Sequence, residues 1–208
     1  MSFPHMGPIN QHGSLARLFR HLCTASCLLT PMAQAMPLKP PPSFVGLQQS
    51  LWSEVAERHG LDPCLLYAVA LVESSRIEKG EAAPWPWAIH HRGRALYPDS
   101  RAEALAYLRH QILAGERTLD VGLMQVNVRW HGHRVAHLEH LMEPKTNLEL
   151  GARILAESIA SVPGDPILGV GRYHAWQDRE EALRYGRKVL RIADALKTLT
   201  NTDQKERP

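Results

Sequence analysis

Glu73 stands out as the side chain best placed to do chemistry, because it is a lone carboxylate at the end of a long apolar run. From Cys64 to Val72 the chain is apolar on every side of a helix, and such a helix belongs in the centre of a domain. A carboxyl there is shielded from water by neighbours such as Val69 and Ala70 and lies near the negative end of the helix dipole. Both effects favour the protonated form near neutral pH. A carboxylic acid held in that state can protonate the leaving oxygen of a glycosidic bond. The same spacing also allows a plainer role, in which Glu73 caps the helix end or pairs with Arg76.

Local signals define the elements that must position this group. Leu47, Leu51 and Val55 recur at helical spacing until His59-Gly60 supplies a glycine stop. Asp62-Pro63 then gives an N-cap followed by proline at the first helical position, predicting a second helix through about Ser75 that carries Glu73. Residues 85–97 around Arg92-Gly93 read as a short hairpin or an irregular excursion. Ser100 is placed to cap a helix with Ala104, Leu105, Leu108, Ile112 and Leu113 on one stripe, ending at Gly115. Further helices are expected at about 145–161, 166–176 and 180–197, so the fold class is mainly α with a small β element. Residues 198–208 form a polar segment expected to be a disordered tail.

Three short motifs give Glu73 a context. They are Leu71-Val72-Glu73-Ser74-Ser75, then Asp120-Val121-Gly122-Leu123-Met124-Gln125-Val126-Asn127, then Gly171-Arg172-Tyr173-His174-Ala175. In this order they resemble the Glu-Ser, Gly-Leu-Met-Gln and Ala-Tyr-Asn signatures of the family 1 lytic transglycosylases, including the conjugation-associated members. The resemblance spans roughly residues 46–197 and implies a lysozyme-like α+β domain with a β-hairpin beside a cleft. It implies that Glu73 cleaves the β-1,4 bond between N-acetylmuramic acid and N-acetylglucosamine, first as acid and then as base, leaving a 1,6-anhydromuramoyl end without a second catalytic carboxylate. Asp120, Glu78 and Glu81 are the nearest carboxylates, and none is assigned that role.

The resemblance also suggests substrate-binding positions. Ser74 would steady the carboxyl or the substrate, while Met124 and Gln125 would give the cleft an apolar face and an amide, with Leu123 in the core. Tyr173 would reach the carboxyl or the substrate acetamido group, and Tyr185 is either cleft wall or core. His174 stands where the family usually has asparagine, which leaves that position's role open. The link between the first two motifs is long and contains Trp85 and Trp87. It is expected to form a hairpin and helix flanking the groove, with these rings either stacking on a sugar or packed onto the domain.

Composition bounds the remaining possibilities. The 208 residues suit one domain, expected over 44–197 after a Pro-rich spacer at 36–43. Residues 1–35 lack Asp and Glu, carry Arg17 and Arg20, and end in Ala33-Gln34-Ala35, as a cleaved signal peptide would, which implies a periplasmic destination. Removing those arginines takes the net charge from +3 to +1, which argues against nucleic acid as a partner. No run reaches the ~18 apolar residues of a membrane span. Cys64, inside its apolar run, reads as a buried thiol. The 12 histidines match no metal-ligand spacing, so neither metal nor cofactor is expected. Glycan strands of peptidoglycan are the implied partner, with secretion or conjugation machinery by family analogy. A hydrolysing lysozyme and a non-catalytic wall-binding scaffold are the rival readings.

Overall fold

Asp62 starts the helix on which the site depends. In the computed structural model, which describes residues 50–78 and 80–205, its carboxylate accepts hydrogen bonds from the backbone N–H groups of Cys64 and Leu65. Pro63 opens helix α2 (Pro63–Ser74). The expected signal peptide, the proline spacer and residues 44–49 lie outside the described residues. Helix α1 (Leu51–Arg58) stops at His59, and Gly60 follows at φ 64°, the left-handed conformation that glycine adopts without strain.

Helix α2 is the axis of the core. Leu66, Ala68, Val69 and Ala70 are completely buried, and Trp52 of α1 meets Tyr67 edge-on with ring centroids 5.0 Å apart. Cys64 is a buried free thiol, as its apolar setting predicts.

After Ser74 the chain turns directly into strand β1 (Ser75–Glu78), which pairs antiparallel with β2 (Glu81–Pro84). These four-residue strands carry no alternating pattern that sequence reading could detect. The hairpin expected around Arg92-Gly93 is formed by β3 (Ile89–His91) and β4 (Arg94–Leu96). Arg92 and Gly93 both have positive φ, 50° and 75°, as a tight two-residue turn requires. Ser100 accepts from the Glu103 N–H at 3.2 Å to start α3 (Arg101–Leu113), and Gly115 follows its end at φ 83°. Strands β5 (Leu119–Val121) and β6 (Val126–Asn127) extend the sheet in the order β4-β3-β5-β6.

A single turn of helix, α4 (Val128–His131), and two 3₁₀ segments lead into α5 (Pro144–Ala160). Two helices complete the domain, α6 (Pro166–Gly171) and α7 (Arg179–Lys205). Helix α6 stops well short of residue 176, because Arg172 to Trp176 form the loop that carries the third motif. Helix α7 continues to Lys205, into the segment from residue 198 that was expected as a tail. Adding residues to an established helix is cheap, and Thr198 Oγ1 donates to the Asp194 carbonyl at 3.0 Å instead of disrupting it.

One buried amide ties the Gly-Leu-Met-Gln loop to this helical frame. Asn147, wholly buried on α5, accepts from the Met124 N–H at 2.8 Å and donates to the carbonyls of Val121 and Leu141 at 2.8 and 2.9 Å. Gly122 lies against it at φ 79°, where a side chain would overlap the Asn147 amide. The loop position is therefore fixed by a fully satisfied polar contact rather than by apolar packing alone.

Candidate active site

Glu73 occupies the last turn of α2, with its side chain 13% exposed on a groove of about 930 Å³. Asp120, Gln125, Tyr173 and His174 line the same groove. The Tyr185 hydroxyl, carried on α7, donates to Glu73 Oε1 at 2.5 Å. Burial pushes the Glu73 carboxyl up to about 7, the Tyr185 hydrogen bond opposes this, the Asp120 charge adds to it and Lys188 pulls it back. Near neutral pH the group therefore exchanges readily between acid and base. Arg76, the plainer partner suggested by spacing, bonds Asp99 at 2.7 Å and lies over the Trp85 ring.

Tyr185, read from the sequence as cleft wall or core, makes the carboxyl contact that was one of the two expected of Tyr173. Tyr173 donates to the Met124 carbonyl at 2.6 Å, bracing the loop from the groove side, and it is Tyr185 that meets the Glu73 carboxyl. Tyr185 is thus both core and site: its ring is buried while its hydroxyl reaches Glu73. His174 stacks flat on that ring, with centroids 4.7 Å apart and planes 1° from parallel, and its Nδ1 lies 3.8 Å from Glu73 Oε1.

Ser74, expected to steady the carboxyl or the substrate, and Met124, expected on the cleft face, are both buried and absent from the groove lining. Ser74 has no exposed surface, and its hydroxyl lies 2.7 Å from the Leu123 carbonyl and 3.0 Å from that of Ala70. It joins the end of α2 to the Gly-Leu-Met-Gln loop instead of lining the groove. Met124 is also wholly buried, its side chain fitted so closely over Gly151 that any added carbon there would collide with it. The reason is the backbone reversal at Gln125, whose φ of 44° lets Met124 enter the core while Gln125 stays on the groove. Gln125 Nε2 donates to the carbonyls of Ala88 and Gly122 at 3.0 and 2.9 Å, tying the start of the β3–β4 hairpin to the loop.

The long link does form a hairpin and a helix, and Ile89, His90, Ala95 and Tyr97 line the groove. Its tryptophans do not. Trp85 and Trp87 pack edge-on at 5.7 Å, and the Trp85 indole donates to the Pro98 carbonyl at 2.8 Å. The groove's most exposed aromatic rings are instead Trp130 and Trp176, ahead of Tyr97, and sequence reading gave neither tryptophan a place there. Their signal was proximity in sequence to motifs already recognised: Trp130 follows Asn127 by three residues and Trp176 follows Tyr173 by three.

A comparison with known families matches the transglycosylase SLT domain to residues 50–188. The chain belongs to this family. The SLT match covers every element from α1 into α7, including both partners of the Glu73–Tyr185 bond. No curated protein and no solved structure matches significantly. SLT membership and the architecture agree on a mainly α, lysozyme-like domain, and membership identifies a peptidoglycan-cleaving lytic transglycosylase. Among the described residues of this SLT domain, no helix is long and apolar enough to cross a membrane.

The Tyr185 bond makes a directional prediction. Tyr185→Phe removes a donor that stabilises ionised Glu73, so the carboxyl's pKa rises further and the alkaline limb of the pH–rate profile moves to higher pH. Its proton is then held more tightly, and the rate at the optimum falls roughly tenfold, in line with loss of a hydrogen bond to a charged group. An unmoved limb in kcat against pH would show that the phenol does not govern this proton.

Proposed function

We propose that Glu73 alone performs the acid and base steps of a non-hydrolytic cut in peptidoglycan. The carrying observation is a sheltered carboxyl, poised at about 7, that faces the groove and is held by Tyr185. In its acid form Glu73 protonates the oxygen linking N-acetylmuramic acid to N-acetylglucosamine as that bond breaks. The resulting carboxylate then takes the proton of the muramoyl 6-hydroxyl while that oxygen bonds to the anomeric carbon. A 1,6-anhydro ring forms, and Glu73 returns to its acid form with no net proton gained or lost. These steps call on the side chain alone.

Gln125 and Tyr173 are proposed to face the substrate across the groove, and the stacked His174 is proposed to hold the Tyr185 ring in register. The signal-like residues 1–35 favour action in the periplasm, where a small wall-opening enzyme would serve a secretion or conjugation apparatus.

Asp120 favours a second reading. It is a carboxylate on the same groove, held by Asn127 Nδ2 at 2.7 Å, and paired carboxylates are the usual equipment of a hydrolysing glycosidase. Mass spectrometry of digested wall separates the two mechanisms. Anhydro ends lighter by one water than reducing ends are the expected product, and reducing ends alone would make the enzyme a lysozyme.

A further inference from the structure

Among the groove residues that the proposed reaction leaves unused are two tryptophans. Trp130 and Trp176 are 66% and 58% exposed, yet both line the groove that holds Glu73. A large apolar ring left open on a concave surface is a binding feature more often than a packing accident.

Both rings are held in place before any ligand arrives. The Arg172 guanidinium lies 5.4 Å from the Trp176 ring centre, and its Nη1 donates to the Ser161 carbonyl and hydroxyl at 3.2 and 3.0 Å. The Arg129 guanidinium lies 5.3 Å from the Trp130 ring centre, and the Trp130 backbone N–H donates to the Asn127 side chain at 3.1 Å. Just beyond Trp130, Arg134 pairs with Glu157 at 2.7 Å. Glu157 lies in the last turn of α5 and Ser161 is its C-cap, so both tryptophan segments are anchored to the same end of that helix. With more than half of each residue's surface open, both rings keep area for a ligand beside the cation.

We propose that Trp130 and Trp176 form a pair of stacking platforms for the N-acetylhexosamine rings of a glycan strand, gripping sugars beyond the pair that is cut. A pyranose ring offers one face of C–H groups that suits the electron-rich face of an indole. Its hydroxyl and acetamido rim can be met by the nearby Gln177 and Glu157, which line the same stretch of groove. Arg134 and Arg172 are already engaged by Glu157 and Ser161, which favours an uncharged glycan over the carboxylates of a peptide stem. The inference rests on the peptidoglycan reading and adds the residues that set how long a strand is needed for tight binding.

The test uses the full chain carrying Glu73→Gln, which binds without cutting, titrated calorimetrically with N-acetylglucosamine oligomers of two, four and six units. Trp130→Ala and Trp176→Ala should each weaken the hexamer about tenfold, equivalent to ~1.4 kcal/mol, while leaving the dimer's affinity and the melting temperature unchanged. Trp176→Phe should restore most of the loss because it keeps an aromatic face. Undiminished hexamer affinity in both alanine variants, or a phenylalanine variant as weak as alanine, overturns the platforms and leaves the Glu73 reaction standing. A parent that binds no oligomer, together with a wild type that cuts no wall, overturns both.

Discussion

Glu73→Gln should abolish wall cleavage and raise the melting temperature of the protein above pH 7. The loss of activity follows because glutamine can neither give nor take the proton, and a positioned acid–base group contributes roughly 10²–10⁴-fold. The gain in stability comes from the cost of keeping this carboxyl in a sheltered site. Its pKa rises from 4.5 to about 7 on folding, so the native state holds the proton more tightly than the unfolded chain. Wild-type stability therefore falls as pH climbs through that interval, by an amount on the order of 3 kcal/mol once both states are ionised. The glutamine variant carries no such penalty. Thermal melts should coincide near pH 4 and separate by several degrees at pH 8, with the variant higher. Coincident melts at both pH values would mean that Glu73 is solvated and ionised, and the proposed chemistry would lose its basis.

The second large effect is expected where α6 meets α7. Gly171 and Gly186 lie at this crossing, and a methyl group on either would fall inside the contact distance of a backbone carbonyl oxygen, that of Ala182 for Gly171 and that of Ile167 for Gly186. Backbone cannot rotate away as a side chain can, so one helix has to shift. Gly171→Ala and Gly186→Ala should each cost about 2–4 kcal/mol in denaturant unfolding. The damage reaches the site directly, because Tyr185 precedes Gly186 and Tyr173 follows Gly171 by two residues. Activity per folded molecule should fall as the Tyr185 hydroxyl is drawn off Glu73. Variants with wild-type stability and activity would show that the two helices can separate without penalty.

Features written in neighbouring residues were legible in the sequence. Asp62-Pro63, Arg92-Gly93 and Ser100 each announce an element boundary through a side chain or a dihedral preference acting within a few positions, and the structure places each as expected. Glu73 was legible for a similar reason, as an interruption of a uniformly apolar helix. The direction each motif side chain takes was not. Ser74 and Met124 face inward because Leu123, Asn147 and Gly151 are there to receive them, and those residues come from distant parts of the chain. Tyr173 and Tyr185 both have a hydroxyl to offer, and only the packing of α7 against α2 decides which one meets the carboxyl. The tryptophans show the same limit: Trp85 and Trp87 pack edge-on against each other, while Trp130 and Trp176 stay exposed with an arginine over each ring.

The Glu73–Tyr185 bond joins residues 112 positions apart, from opposite ends of the domain. A polypeptide still being made, or one clipped between α2 and α7, presents the carboxyl without the phenol that tunes it. Such fragments also lack the face of α7 that packs on α2, so half-finished copies of this wall-cutting enzyme should cut far less than the complete chain, and full capacity should arrive only when the last helix docks.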